Sequence, residues 1–162
     1  MRNTFFKLWI HGILHIADNC VLIDPSLTLL FYNEIEKRLL EQGCEVKAIN
    51  GQQDHIHFLF NQNPLLPLHD TMRFVQGMTQ RWYQVRDAQT GWYKFRWNDG
   101  YCMYSVSESI VEKVQFFIEK QNDVHQSLSF WDELQQLNQF HKVDLNDEIL
   151  DLDKEIRSSG LD

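Results

Sequence analysis

Asp54-His55-Ile56-His57-Phe58-Leu59-Phe60 is the stretch on which the fold turns. Two residue sets alternate in it with period two, which is the pattern of a strand. Ile56, Phe58 and Phe60 make one apolar face, and His55 and His57 lie side by side on the other. An apolar reverse face buries a strand and holds it still. Two imidazoles on its opposite face can then point at one ion. A lone H-x-H also arises by chance as two surface histidines on a half-buried strand, so the rest of the chain has to decide between the two readings.

Upstream, 44–50 reads as a second strand, and Asn50-Gly51 marks a tight turn into the histidine strand. Two strands joined so closely predict an antiparallel hairpin. Before them, Asp24 or Ser26 caps a helix with Pro25 in its first turn, and Gly43 stops it. Leu29, Leu30, Tyr32, Ile35, Leu39 and Leu40 form its apolar stripe. The first strand spans 4–16, with Phe6, Leu8, Ile10, Leu14 and Ile16 on one face. Lys7, Trp9, His11 and His15 fall on the other, where the two histidines read as ordinary open-face residues rather than ligands.

Downstream, a loop with two prolines over 61–68 leads into a helix over 69–86, with Met72, Val75, Met78 (or Thr79) and Trp82 on one face. Arg73 and Arg81 lie among its polar positions, where charges are usually only solvated. Trp92, Tyr93, Lys94, Phe95, Arg96 and Trp97 interleave aromatic and basic side chains. That mixture suits a surface where bases stack and phosphates pair. It suits equally a strand that packs its aromatics on a core. Asn98-Asp99-Gly100 is a turn, and 101–106 the last strand. Ser109 and Glu112 make a capping box for a third helix over 107–122. Ile110, Val114, Phe117 and Gln121 share a face of it, and a polar Gln121 closing an apolar stripe marks where the stripe leaves the core. Ser129-Phe130-Trp131-Asp132 opens another helix.

The chain has 162 residues, of which 43% are hydrophobic and 13% aromatic, enough for one core. No run of eighteen apolar residues exists, which argues against a membrane partner. The N-terminus lacks the plan of a signal peptide. Cys20, Cys44 and Cys102 match neither a disulfide framework nor a zinc pattern. A reducing, cytoplasmic setting is expected. Residues 1–121 hold 12 Lys/Arg and 13 Asp/Glu, a balance of −1, whereas 122–162 hold 3 and 10, a balance of −7. The acidity therefore belongs to the C-terminal segment, and a nearly neutral core can still carry a local basic groove. A nucleic-acid binder usually shows a clearer basic excess. These patterns predict one domain over 1–135 and an acidic helical tail over 136–162. A weak Leu/Ile pattern runs through that tail at Leu145, Ile149, Leu150 and Leu152, and Ser158-Ser159-Gly160 is expected to be disordered.

The order strand, helix, strand, strand, helix, strand, then C-terminal helices predicts an α+β, ferredoxin-like antiparallel sheet. Helices should cover the Ile56, Phe58 and Phe60 face, leaving His55 and His57 on an open one.

Taken together, these stretches resemble the single-tyrosine HUH transposases of the smallest bacterial insertion sequences, the REP-associated tyrosine transposases among them. Asp54-His55-Ile56-His57 is similar to the family's histidine–hydrophobic–histidine signature. Phe95-Arg96-Trp97-Asn98-Asp99-Gly100-Tyr101 resembles its aromatic turn before the last strand. Val114-Gln115-Phe116-Phe117-Ile118-Glu119-Lys120-Gln121 resembles the helix whose pattern is Tyr-Ile-x-x-Gln, and Ser129-Phe130 with Asp132-Glu133 its closing segment. The likeness covers about 4–135.

The resemblance implies that His55, His57 and Gln121 hold a divalent metal ion, magnesium or manganese. It implies a single-stranded hairpin DNA partner, which Arg73, Arg81, Lys94, Arg96 and Trp97 are placed to contact. It also implies a homodimer with a shared sheet and exchanged helices over 107–122. In the family a tyrosine attacks the phosphorus, metal-dependent, and the DNA is nicked and rejoined. Here the tyrosine position is Phe117, four before Gln121, so no phosphotyrosine can form on it. Phe116 offers no substitute, and Tyr101 and Tyr104 are the nearest other tyrosines in the sequence. Basic residues common after the family's first strand are replaced by Ala17-Asp18-Asn19. The alternative to a blocked transposase is a catalytically inactive, domesticated nucleic-acid-binding or regulatory dimer.

Overall fold

The computed structural model describes residues 5–86 and 94–143. Trp92, Tyr93 and the tail from residue 144 onward, with its Leu/Ile pattern and final Ser158-Ser159-Gly160, lie outside them. Four strands build one antiparallel sheet: β1 (Trp9–His15), β2 (Glu45–Gly51), β3 (His55–Asn61) and β4 (Cys102–Val106), in the order β2-β3-β1-β4. That order, with α1 (Thr28–Glu41) between β1 and β2 and α2 (Leu68–Arg86) between β3 and β4, is the ferredoxin-like plan. The sheet and helices are the α+β fold that the element order predicts.

All seven residues of β3 are buried, because it has a partner strand on each side and packing on both faces. On one face Leu14, Ile56, Phe58 and Phe60 meet Phe31, Ile35 and Leu39 of α1 and Met72 and Val75 of α2. Gly12 of β1 stands opposite Phe58 in the register. A Cβ at Gly12 would come within 2.5 Å of the Phe58 ring, so the glycine is the space that ring occupies.

The other face is not open. After a single 3-10 turn (Glu108–Ile110), α3 (Val111–Glu119) lies across it. Val111 and Ile118 there pack with Trp9, Ala48, Leu59 and Val106, and Phe117 packs against the same cluster. Alternation showed which residues share the histidine face but not that the chain's own later helix covers it. The segment 107–122 thus lies against its own sheet.

Local details differ from expectation for physical reasons. Asn50 and Gly51 stay in β2, and the reversal falls on Gln52–Asp54, closed by the Gln52 N–H donating to the His55 carbonyl at 2.9 Å. Asp24 accepts from the Ser26 N–H at 2.8 Å and so braces the turn before α1, whose first residue is Thr28. Ser109 caps nothing; its hydroxyl bonds Ser107 at 2.8 Å inside the 3-10 turn. In α1 the buried residues are Phe31, Glu34, Ile35 and Leu39, while Leu29, Leu30 and Leu40 are exposed.

The segment carrying Lys94 to Asn98 is fixed to α2 by a ladder of glutamines one helical turn apart. Gln84 donates to the Phe95 carbonyl at 2.8 Å, Gln80 accepts from the Trp97 N–H at 3.0 Å, and Gln76 donates to the Asn98 carbonyl at 3.1 Å. Residues four apart share one helix face, so the ladder runs straight.

The chain divides after Gln126 into two units. In the second, α5 (Phe130–His141) opens where expected, with the Ser129 hydroxyl accepting from the Asp132 N–H at 3.3 Å. None of the helices among the described residues is long and apolar enough to cross a membrane.

Candidate metal centre

The site lies between β3 and the segment that follows α3. Its floor is the pair His55 and His57, both fully buried. Its roof is α4 (Gln121–Val124) and the next residue, His125. Two side-chain bonds set the roof in place. Asn50 of β2 donates to the Glu119 carbonyl, and Gln52 donates to the Asn122 side chain, each at 3.0 Å. These bring Gln121, also fully buried, over the histidines.

The imidazoles are held individually. Asp54 Oδ1 lies 2.6 Å from His55 Nδ1. That bond holds the Asp54 carboxyl below its ordinary range and fixes the His55 ring so that Nε2 faces His125. His57 Nδ1 shares a 2.9 Å hydrogen bond with His11 Nε2, which turns the opposite nitrogen of the His57 ring away from β1. His125 Nε2 lies 3.1 Å from His55 Nε2 and 3.0 Å from Gln121 Oε1. One ring nitrogen from each of His55, His57 and His125 lies within 4.8 Å of the others. Next to the cluster, burial pushes the His15 imidazole below its usual value, and Asp18 pulls it the other way.

Imidazole nitrogens and an amide oxygen converging in a buried space are donor types that divalent metal ions take. A carboxylate behind one of the rings is the usual orienting partner. Of the residues singled out from the sequence, His55 and His57 lie in one cluster that could hold a metal ion, and Gln121 meets that cluster through its 3.0 Å bond to His125. His11, Asp54 and His125 are additions. His11 was assigned to an open face that does not exist. The signal for His125 was its spacing of four from Gln121, which puts both on one side of a helix.

Phe117 sits beside the cluster, half buried, its ring edge-on to His57 at 6.0 Å and to His11 at 6.1 Å. The Tyr104 ring lies 6.0 Å from His11. Tyr101 is engaged elsewhere, its hydroxyl 3.0 Å from His69 Nδ1. The residues expected to meet DNA are placed differently from one another. Arg73, Arg81, Lys94 and Arg96 are exposed. Trp97 is in the core, stacked on Phe31, with its indole N–H donating to Thr79 at 3.0 Å. Its ring is therefore not presented to a base, because the alternation that puts Lys94 and Arg96 outward puts Phe95 and Trp97 inward.

Comparison with known proteins gives consistent relatives. The family described as "Transposase IS200 like" matches residues 4–121. The ISDra2 transposase TnpA of Deinococcus radiodurans is 30% identical over 86 residues, which are 51% of this chain and 61% of that protein, so the match spans about three-fifths of the relative. The fold is similar to that of a crystal structure of a candidate transposase from Deinococcus radiodurans R1. The TM-score is 0.59 at 22% identity, covering 75% of this chain and 95% of the other. It is also similar to a REP-associated tyrosine transposase bound to a REP hairpin, with a TM-score of 0.56 at 10% identity, covering 78% of this chain and 73% of that one.

Proposed function

The chain belongs to the IS200-like transposase family, and from that premise we propose that it binds single-stranded hairpin DNA at a metal-dependent nicking and joining site whose nucleophile position is occupied by Phe117. The observation that supports the proposal is the buried pair His55 and His57 clustered with His125, which Gln121 Oε1 meets at 3.0 Å. A divalent ion, magnesium or manganese, would be held by His55, His57 and Gln121 and would supply Lewis acidity to a phosphate oxygen. Asp54 and His11 orient the two rings. The α3 and α4 cover excludes water, which strengthens every charge interaction inside. Phe117 supplies the aromatic surface of a nucleophile and no oxygen to attack with.

The DNA partner is assigned to Arg73 and Arg81 of α2 and to Lys94 and Arg96 on the glutamine-braced segment, all exposed. Cations that neutralise phosphates release counterions, so affinity falls with salt in proportion to their number. Replacing these four residues by glutamine should weaken hairpin binding at all sequences alike. It should flatten the slope of log affinity against log salt by about 0.7 for each phosphate no longer neutralised. Fluorescence anisotropy with a labelled hairpin over a salt series measures both. An unchanged slope would remove this surface from the interface.

The assembly proposed is a homodimer. Ile110, Val114 and Phe117 are each only partly covered within one chain, which leaves apolar surface for a second copy. Sedimentation at micromolar concentration should give twice the chain mass of 19.4 kDa; a monomer would refute the dimer.

A further inference from the structure

We infer that Asn50 is a positioning residue of this site: its side chain caps the C-terminal end of α3 and by that bond holds Gln121 over the histidines, in a way that the neighbouring Gln52 tie does not. The inference rests on the metal-site reading above and deepens it.

The mount is the first argument. Asn50 stands opposite His57 in the β2–β3 register, so the two side chains share the face that α3 covers. The two strands close in tightly just beyond it, where a Cβ on Gly51 would collide with the His55 carbonyl. Asn50 therefore rides on the same rigid hairpin as the histidine pair.

The direction of its bonds is the second argument. Glu119 is the last residue of α3, and the final carbonyls of a helix lack partners within it. The Asp123 N–H, which an unbroken helix would bring to the Glu119 carbonyl, donates to the Lys120 carbonyl at 2.9 Å. Asn50 Nδ2 donates to the Glu119 carbonyl at 3.0 Å. Its Oδ1 accepts from the Gly51 N–H at 2.9 Å and from the Tyr32 hydroxyl at 3.5 Å. Donors on one side and a carbonyl on the other leave the amide one orientation. Gln121 follows Glu119 by two residues, so the bond is made just short of the side chain it places.

The Gln52 tie has no such direction. It joins two side-chain amides, Gln52 and Asn122, at 3.0 Å, and each carries both a donor and an acceptor. A carboxylate at position 52 would still be met by the Asn122 amide once that group turned over. A carboxylate at position 50 would keep the Gly51 bond but set an anion against a carbonyl at the negative end of a helix. Asn50→Asp and Gln52→Glu thus add the same charge two residues apart, and only the first breaks its tie.

The test uses the full chain without DNA. Hydrogen exchange is followed at the Lys120, Asp123, Val124 and His125 amides, each bonded to a carbonyl between Phe116 and Gln121. Manganese affinity is read from the paramagnetic resonance of the free ion. Asn50→Asp should speed exchange at these amides on the order of 10-fold, the worth of one hydrogen bond lost, and leave the β3 amides unmoved. It should weaken manganese by on the order of 10-fold, the effect of losing a residue behind a ligand. Gln52→Glu should change both by less than about 3-fold, because its bond is kept. Since Asn50 acts through Gln121, Asn50→Asp should cost no further manganese affinity in a chain already carrying Gln121→Ala. Circular dichroism checks the folds, and Asn50→Ala serves if Asn50→Asp does not fold. Four results overturn the inference: exchange within roughly 3-fold of the unaltered chain, short of a lost bond; a rise shared by the β3 amides; equal loosening by Gln52→Glu; or additive manganese losses in the double variant. If the unaltered chain binds no manganese, or Gln121→Ala leaves its affinity unchanged, the metal-site reading falls, and exchange alone decides whether Asn50 holds the helix end.

Discussion

Phe117→Tyr is expected to turn a protein that leaves hairpin DNA intact into one that ends covalently attached to it. The substitution adds one oxygen to a ring that already sits edge-on to His57 and His11 at about 6 Å, so the backbone need not move. A phenol with an ordinary pKa of about 10 is ionised only to roughly one part in a thousand at neutral pH. Attack on phosphorus would therefore need charge stabilisation of the kind that a divalent ion held by the neighbouring histidines would supply. The unaltered chain and the variant would be incubated with manganese and labelled strands from the gene's own flanks, then denatured and separated by size. A manganese-dependent adduct in the variant alone is the expected result, a change from nothing to a measurable product. No adduct would show that more than the nucleophile has been lost. An adduct from the unaltered chain would put the nucleophile elsewhere. Tyr104, whose ring lies beside His11, and Tyr101 are then the next candidates.

Phe31→Ala should have the largest effect on stability. Phe31 is fully buried between two indoles, stacked on Trp97 at 5.5 Å and on Trp82 at 5.8 Å. Tyr83 at 5.0 Å and Phe95 at 5.5 Å meet it edge-on. Truncating a buried phenylalanine costs about 3–5 kcal/mol, against a total that is typically about 5–15 kcal/mol. The melting temperature should fall by about 10 °C, and the near-ultraviolet dichroism of the stacked tryptophans should collapse. A fall of less than about 2 °C, worth under 1 kcal/mol at this size, would mean that the cluster refills the hole. Because this cluster also carries the segment bearing Lys94 and Arg96, hairpin affinity should suffer as well. The histidine site, on the opposite face of the sheet, should keep its metal affinity in the fraction that stays folded.

Much of this architecture could be read from residue patterns. Period two at 55–60 placed the histidine pair on one face, and the order of elements was enough for the ferredoxin-like plan. Patterns failed where both sides of an element are buried. In β1, Trp9 and Ile13 are as buried as Leu14, so alternation could assign His11 to a face but not say that α3 covers that face. In α1 leucines occur all around the helix, and the stripe phased on Leu29 and Leu40 missed Phe31. His125 lies beyond the helix read over 107–122, so its spacing of four from Gln121 went unused. The roles of Asp54 and His11 are tertiary: each depends on the neighbour that folding brings to it.

The candidate donors of the site ride on two very different supports. His55 and His57 belong to the central strand, paired on both edges and buried along its whole length. Gln121 and His125 belong to a four-residue helix and the residue after it, a unit too short to be helical on its own. Their amides should therefore exchange with deuterium on separate clocks. Those of β3 should exchange only when the whole domain unfolds, and those of 121–125 through small local openings. On that expectation the strand would present two imidazoles in fixed positions, and the short helix would come and go above them. An ion in this site would be captured in two stages, and its escape rate would be set by how often the short helix lifts, whatever the concentration of chelator outside.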